Sequence, residues 1–427
     1  MAWPSRLLSF LPSWRASRQA RCFSALSQQP SLEQAVAELA LQLKQAGQRQ
    51  SADLALVFCS SAYASDLQRV LPLLRDAIAS KHWIGCCAGG VVGTDPQGQA
   101  LELEHQPGIS LTLLQLPDTT FELFRLQSDQ LPDLDGSSQQ WADWAGVDPD
   151  GGHSMLLFID PTCTAINDLI SGLDYAYPNA HKIGGVAGQH SASHGSLLFA
   201  DASGDTVVDG AIGCLIKGAW RIDPVVAQGC KPIGPVYAIE QAERNVVQRL
   251  SAGEQQGTPV ACLQSVLETL SSAERELVRH SLFLGVAKSS FQLPSSGDAS
   301  ESAFLVRNLI GVDPRTGSVA VAERLRVGQQ VQFQLRDAEA SRQEQRQLLR
   351  RQCSRQSEPL AALLFACLGR GEGLYGAAHG DVTGCREIFD HVPIGGAFCN
   401  GEIGPVAGAT HLHGYTASWG FLVPNTP

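Results

Sequence analysis

One pattern occurs three times along this chain: a short apolar run, a stretch with helical periodicity, and a second run that ends in glycines. The first runs cover residues 54–59, 155–160 and 361–368, and the second runs cover 83–93, 182–188 and 393–402. About thirty residues separate the start of each first run from the Ile-Gly pair, which is the length of a strand–helix–strand unit. We therefore predict a mixed α/β (α+β) fold, in which repeated strand–helix–strand units form mixed sheets with helices packed on them.

Helices are predicted between the paired runs, at residues 66–79, 165–177 and 382–389, where apolar residues are spaced as on one helix face. The glycines that close each second run let a strand bend sharply and bring its amides close to another group. In such sheets ligands bind at strand ends. The candidate ligand contacts from these turns are Gly85, Cys86, Gly89, Gly90 and Gly396. The alternative is that the glycines only make tight turns.

The third copy has the largest set of reactive groups, between residues 394 and 415. This stretch adds Cys399, Asn400, Gly401, Glu402, His411 and His413 to the ligand-binding candidates. Asn400 and Glu402 are expected to be polar contacts of a ligand. A Cys-dependent enzyme is the alternative, with Cys399 as nucleophile, His411 as base and Glu402 orienting that base. The stretch lacks a recognisable set of four metal ligands, so we predict neither a metal nor a cofactor.

Three arginines are candidates for holding an anionic ligand: Arg307, Arg336 and Arg370. Arginine binds a carboxylate through two parallel hydrogen bonds, which suits a carboxylate-bearing metabolite. Arg336 is the preferred anchor because it interrupts an otherwise uncharged strand. The alternative is that Arg336 pairs with its neighbour Asp337 or protects a sheet edge.

The segment between the second and third copies has a different character. Residues 228–240 contain several Pro and Gly and are predicted to mark a domain junction, with helices following at 241–250 and onward to 279. Residues 289–302 are predicted to be an exposed loop. The turn sequence at 313–317 lies between alternating apolar and polar residues, which predicts a β-hairpin.

Composition restricts the partners of this chain of 427 residues. Its net charge of −11 makes it a poor binder of polyanions, so no nucleic-acid partner is expected. No apolar run reaches the roughly 18 residues of a membrane-spanning helix, so a soluble protein without membrane insertion is predicted. The 12 cysteines are irregularly spaced and include no C-x-x-C pair, which favours reduced thiols over a disulfide framework.

The first 32 residues differ from the rest of the chain. They contain four arginines, and no acidic residue occurs before Glu33. Apolar residues are placed there so that an amphipathic helix is possible, which is typical of an organelle transit peptide. We therefore predict a transit peptide at residues 1–32, with a mitochondrial destination preferred over a chloroplast. The alternative is an unstructured tail.

Several blocks of the chain resemble FIST domains, which are sensory domains of bacterial signalling proteins and of some eukaryotic F-box proteins. Residues 54–117, with the turn IGC-x-AGG, and residues 207–234 resemble the FIST N-terminal domain. Residues 307–338 and 364–417, with IGGAFCNGEIGPVAG and HLHGY, resemble the FIST C-terminal domain. The resemblance implies these two domains at 50–235 and 236–423, and a sensor of small ligands such as amino acids or related metabolites. It supplies no catalytic residues.

We therefore expect a small-molecule-binding protein that takes part in signal transduction and has no catalytic activity of its own. No kinase, cyclase or helical transmitter segment is attached, so its signal would pass through a protein partner that the sequence does not identify. A protein-interaction scaffold related to F-box/FIST adaptors is a further alternative. The first 50 residues contain no helical module that resembles an F-box.

Overall fold

The computed structural model describes residues 19–127, 131–188, 195–201, 204–208, 210–287, 304–355 and 358–425. Most of the predicted transit peptide, residues 1–18, and the predicted loop at 289–302 lie outside these ranges. The described residues form three six-stranded sheets and one seven-stranded sheet. The predicted mixed α+β class is confirmed.

The first unit begins inside the segment that was predicted to be a transit peptide. Its elements are β1 (Arg21–Ser27), α1 (Leu32–Gln45), β2 (Ala52–Ser60), a 3-10 helix (Ser61–Asp66), α2 (Leu67–Ala77), β3 (Ser80–Ala88), β4 (Gly90–Thr94), β5 (Ala100–Glu104) and β6 (Ile109–Gln115). Strands β2 and β3 pair in parallel on either side of α2 in sequence, as predicted. Strand β1 pairs with β6 over its whole length.

The second unit repeats this order. Its elements are β7 (Thr119–Leu126), α3 (Ser138–Ala145), β8 (Gly152–Ile159), α4 (Ile166–Ala176), β9 (His181–Val186), β10 (Leu197–Asp201), β11 (Gly204–Val208) and β12 (Ala211–Gly218). Strands β8 and β9 again pair in parallel.

The third unit is interrupted by a long insert after its first strand. It begins with β13 (Trp220–Ala227), and the insert then contains β14 (Cys230–Glu243), β15 (Val246–Ala252), β16 (Gln255–Gly257), α5 (Pro259–Thr269), α6 (Ser272–Ser281), β17 (Leu282–Ala287), β18 (Phe304–Asp313), β19 (Ser318–Val321) and β20 (Gln330–Arg336). The unit resumes with α7 (Ala338–Arg355), β21 (Ala361–Cys367), α8 (Glu372–Tyr375), α9 (Gly380–Arg386), β22 (Ile394–Cys399), β23 (Glu402–Val406), β24 (Ala409–His413) and β25 (Ala417–Pro424). Strands β21 and β22 are parallel, which confirms the third predicted strand–helix–strand pair.

The three units interlock by exchanging hairpins. Each six-stranded sheet contains four strands of one unit and a two-stranded hairpin of another. The hairpin β10–β11 joins the sheet of the first unit, β23–β24 joins that of the second, and β4–β5 joins that of the third. The units therefore cannot separate without breaking sheet hydrogen bonds.

Equivalent phenylalanines from the three units meet in the shared core. Phe58, Phe158 and Phe365 lie on β2, β8 and β21, and all three are fully buried. Their ring centroids are 5.4–5.7 Å apart, and each pair is edge-on. Edge-on aromatic pairs contribute about 0.5–1.5 kcal/mol each beyond the burial of their surface. This cluster fixes the three sheets around a common centre.

The insert corrects one prediction about secondary structure. Residues 241–250, predicted to be a helix, instead form the end of β14, a turn, and most of β15. Arg244 in the turn has a φ of 56°, and Val247 and Leu250 are buried against the rest of the insert. Pairing with neighbouring strands outweighs the local helix propensity of this segment. The hairpin predicted around residues 313–317 is confirmed as β18 and β19.

Candidate functional site

A cleft of about 1350 Å³ lies at the carboxyl ends of β21 and β22. One wall is the insert, through β18 and the end of β19, and the opposite wall is formed by α4 and β24. The segments 367–369 and 400–401, which directly follow the two parallel strands, also line the cleft. The carboxyl end of parallel strands is the usual position of a ligand site in an α/β sheet.

Five of the residues predicted from the sequence line this cleft: Arg307, Asn400, Gly401, His411 and His413. Arg336 and Glu402 lie directly beside it, as described below. Sequence reasoning missed Cys367, Gly369 and Tyr415, which also line the cleft. Cys367 and Gly369 lie at the carboxyl end of β21, where ligands usually bind, so their position at the end of a predicted strand could have revealed them. Tyr415 carries no such signal.

Arg307 joins the two walls of the cleft. Its Nε lies 2.8 Å from a carboxylate oxygen of Glu323 on the insert, and its Nη1 donates to the carbonyl of Leu412 at 2.9 Å. Burial lowers the pKa of Arg307 from its ordinary value. With both bonds made inside the protein, this guanidinium holds the insert against β24.

Arg336 is held differently, by contact with an aromatic ring. Its guanidinium carbon lies 4.3 Å from the ring centroid of Tyr415, and that ring packs edge-on against Phe283 at 4.8 Å. Its Nη1 is buried and, among the described residues, has no hydrogen-bond partner. A Cβ added to Gly369 would lie 3.0 Å from this nitrogen, so the donor sits directly beside a residue that lines the cleft.

Glu402 is a fully buried carboxyl group beside the same cleft. Its Oε2 accepts a hydrogen bond from the main-chain N–H of Thr416 at 3.1 Å. Its Oε1 is buried and has no hydrogen-bond partner within the described ranges. Burial raises the pKa of Glu402 well above its ordinary value, which favours the protonated form. A protonated carboxyl group can donate as well as accept a hydrogen bond.

Strand β24, which carries the two histidines, is held in place by hydrogen bonds to α4. Thr410 donates two hydrogen bonds to the carboxylate of Asp174 on α4, from its N–H at 2.6 Å and from its hydroxyl at 2.7 Å. Asp174 is paired at 2.9 Å with the buried Lys182. His413 Nε2 lies 2.9 Å from the carbonyl of Gly404, and the rings of His411 and His413 are 6.1 Å apart. The imidazoles are therefore presented to the cleft by a rigid strand.

Arg370 does not reach the cleft. It is 0% exposed and makes two hydrogen bonds to Asp381, at 2.8 and 2.6 Å, and a third to the hydroxyl of Tyr375 at 2.6 Å. A guanidinium with these partners has no free donor pair for a ligand. The prediction that Arg370 contacts a ligand is replaced by a structural role, because its fork is filled by the protein itself.

The glycine turns meet, but their amides are not free for a ligand. Three hydrogen bonds link the turns in a ring, from the N–H of Gly188 to Cys87 (2.9 Å), of Asn400 to Val186 (2.9 Å) and of Gly89 to Phe398 (3.0 Å). Gly90 continues directly into β4.

One glycine inside each of β3, β9 and β22 is needed because the parallel neighbouring strand comes very close. A Cβ at Gly85, Gly184 or Gly396 would lie 1.7, 1.9 or 1.9 Å from a carbonyl oxygen of the neighbouring strand. Gly85 and Gly396 thus allow close strand pairing within their own units, and Gly89 and Gly90 link the first unit to the third. The expectation that their amides face a ligand is corrected.

Cys86 and Cys399 lie in the shared core and are both 0% exposed. Burial raises the pKa of Cys399 well above its ordinary value, and the nearby Cys86 raises it further. A thiol with no exposed surface lacks the access to a substrate that a catalytic nucleophile needs. The described ranges contain no group of three or more His, Cys, Asp or Glu residues that could hold a metal ion.

Comparison with protein families identifies the class to which this fold belongs. Residues 53–252 match the FIST N domain, and residues 259–405 match the FIST C domain. The chain therefore belongs to the FIST family, whose domains are generally associated with small-ligand-binding signal transduction. In the described part of the chain, no helix is both long and apolar enough to cross a membrane.

Relatives of similar length occur in mycobacteria. An uncharacterized protein of Mycobacterium tuberculosis is 30% identical over 401 residues, which is 93% of this chain and 98% of the relative. An uncharacterized protein of Mycobacterium bovis is 31% identical over 397 residues, covering 92% and 96% of the two chains. A solved structure, cyanuric acid hydrolase from A. caulinodans, aligns over 96% of this chain and all of its own, with 10% identity and a TM-score of 0.32. At that level of similarity we draw no conclusion from it.

Proposed function

We propose that this protein is a sensor that binds a small carboxylate-bearing metabolite, an amino acid or a related compound, in the cleft. The observation that carries the proposal is a pair of buried atoms beside one cleft, Nη1 of Arg336 and Oε1 of Glu402, for which the described part of the chain supplies no hydrogen-bond partner. A buried polar atom without a partner costs about 1–3 kcal/mol, so such atoms call for a bound partner.

The two groups offer complementary contacts to one ligand. Arg336 would donate to the ligand carboxylate, because a guanidinium and a carboxylate form short, charge-assisted hydrogen bonds. Glu402, when protonated, would hydrogen-bond a hydroxyl, keto or amino group on the same molecule. Asn400 at the cleft surface supplies a further amide contact, and the exposed Asp168 on α4 is available to an ammonium group.

The position of the cleft also supports a signalling role. It lies between the insert and the hairpin-exchanged units, and Arg307 already links these parts through Leu412. A ligand that contacts both walls would bind a closed arrangement of the walls more tightly than an open one. It would shift the equilibrium toward the closed arrangement by the difference between these two binding free energies. A protein partner, as yet unidentified, would read that change.

The experiment is a thermal-shift screen of the purified protein against amino acids, 2-oxo acids and nucleotides. A compound that binds only the folded state raises the melting temperature. Arg336→Gln should remove the shift given by a carboxylate compound. A charge-assisted hydrogen bond is worth about 1.5–3 kcal/mol, which predicts a loss of affinity of roughly ten- to one-hundred-fold.

The matched control is Arg346→Gln. Arg346 lies on the outer face of α7, where it pairs with Glu387 at 2.8 Å, and it does not line the cleft. This variant should keep the full shift. A screen in which no carboxylate compound stabilises the protein, or in which Arg336→Gln binds as tightly as the unchanged protein, would contradict the proposal.

We further propose that the segment before Arg21 directs the protein to an organelle, a mitochondrion in preference to a chloroplast. The support is its composition, with several arginines and no acidic residue. Residues 21–27 form β1, which pairs with β6, so a cut at residue 32 would remove a strand of the sheet. We therefore place the end of the targeting segment before Arg21. A fluorescent fusion of residues 1–20 tests this, and diffuse fluorescence throughout the cell would contradict it.

A further inference from the structure

Two cysteines face each other across the parallel strands at the base of the cleft. Cys367 ends β21 and Cys399 ends β22, and they are direct partners in the strand register. Neighbouring strands lie about 4.8 Å apart, and partners in a parallel ladder point to the same face of the sheet. Disulfides join residues whose Cα atoms are about 4.4–6.8 Å apart. Both thiols are free in this structure.

The two thiols differ in their access to solvent. Cys367 is partly exposed and lines the cleft, whereas Cys399 is 0% exposed. A small polar oxidant that enters the cleft therefore meets Cys367 first. Cys399 lies directly behind it, as a resolving thiol would.

The surroundings of Cys367 contain groups that assist its oxidation. The main-chain N–H groups of Gly369 and Tyr415 hydrogen-bond to its sulfur, which stabilises a thiolate. Burial, and to a smaller extent a charge on the nearby Glu402, nevertheless raise the pKa of Cys367 to about 12, so the reaction at neutral pH is slow.

We propose that Cys367 is a site of oxidative modification and that it forms a reversible disulfide with Cys399. With a hydroperoxide as oxidant, the Cys367 sulfur attacks the peroxide: an S–O bond forms, the O–O bond breaks, and the departing oxygen takes the thiol proton. The Cys399 sulfur then attacks the sulfenic acid on Cys367. The S–S bond forms, the S–O bond breaks, and water leaves with the proton of Cys399.

The disulfide would change the cleft. Leu368 and Gly369 follow one cysteine, and Asn400 and Gly401 follow the other, and all four line the cleft. Joining the two sulfurs ties these lining segments together and removes the thiol from the cleft surface. Oxidation is therefore a means of altering the site independently of any ligand.

The chain contains an internal comparison. Cys59 and Cys87 are also direct partners in a parallel pair, on β2 and β3. Both are 0% exposed, so an oxidant has no access to either thiol. If strand register were the only requirement, both cysteine pairs would be oxidised. If access from the cleft is also required, only Cys367 and Cys399 are oxidised.

The test uses the full-length protein treated with hydrogen peroxide, blocked with an alkylating agent, and analysed by peptide mass spectrometry. We expect a peptide pair joined through Cys367 and Cys399, which a reductant separates. Because the thiolate fraction rises about tenfold per pH unit below the pKa, the rate should rise by about that factor from pH 7 to pH 8. Cys353→Ser, which removes an exposed cysteine on α7, should leave the joined pair unchanged.

Cys399→Ala should stop the reaction at a sulfenic acid on Cys367, which dimedone detects. Cys367→Ser should abolish both products, and circular dichroism checks that each variant is folded. The proposal is overturned if Cys59 joins Cys87 at an equal rate, if Cys399 joins Cys86 instead, or if no bridge forms while Cys353 is oxidised. None of these outcomes depends on whether the cleft binds a metabolite.

Discussion

The ion pair of Arg370 and Asp381 gives the most quantitative prediction. Both side chains are 0% exposed, and Asp381 makes two hydrogen bonds to the guanidinium and accepts a third from Tyr375 at 2.7 Å. Asp381→Asn keeps the size of the side chain but leaves Arg370 buried without its counter-charge. Removing one partner of a buried pair costs about 3–5 kcal/mol. Since small domains are stable by roughly 5–15 kcal/mol, this loss would be a large fraction of the total.

The measurement is equilibrium unfolding in urea, comparing the free energy of unfolding of the variant with that of the unchanged protein. The control is Glu387→Gln, which breaks the exposed pair with Arg346 and should cost about 0–1 kcal/mol. If Asp381→Asn lost less than about 1 kcal/mol, the buried pair would not be what holds Arg370. Arg370 would then return as a candidate ligand contact, and our structural interpretation of it would be refuted.

Three further predictions concern the fold. Gly184→Ala would place a Cβ 1.9 Å from a carbonyl oxygen, so we expect a loss of about 3 kcal/mol or more in urea unfolding, and no loss for the open, exposed Gly373→Ala. Burial raises the pKa of Glu102 from 4.5 to about 8, so the folded state holds this proton more tightly than the unfolded chain. Stability should fall as pH rises from about 4.5 through about 8, and Glu102→Gln should remove that part of the fall; a slope that the variant leaves unchanged would contradict this. Deleting residues 1–18 should leave the melting temperature unchanged, whereas deleting 1–32 removes β1 and should lower it; equal melting temperatures would disprove the structural role of β1.

The strand–helix–strand repeats could be predicted from the sequence because their signals are local. Apolar periodicity in residues 66–79 and 165–177 indicates helices, which the structure has as α2 and α4. The hairpin exchange has no such local signal, because it depends on pairing between strands far apart in the chain. The helix predicted at 241–250 was wrong for the same reason: Val247 pairs with Val319 on a distant strand.

The candidate site was predicted in part. Asn400, His411 and His413 were found because polar groups near a glycine turn are easy to recognise. The glycines themselves were misinterpreted, since Gly396 is required by the carbonyl oxygen of Leu364, which lies 1.9 Å from the position of its missing Cβ. The sequence predicts both strands but not the register that brings these two residues together. Arg370 was also misassigned, because its partner Asp381 lies on a different element and nothing in the sequence joins them.

The most direct test of the central claim is hydrogen–deuterium exchange with and without the carboxylate compound that gives the largest thermal shift. We predict slower exchange in residues 304–310, 367–369 and 400–415, which line the cleft or flank its lining residues, and no change on the outer face of α7. Protection confined to other parts of the chain, with these segments unchanged, would contradict the assignment of the cleft as the ligand site.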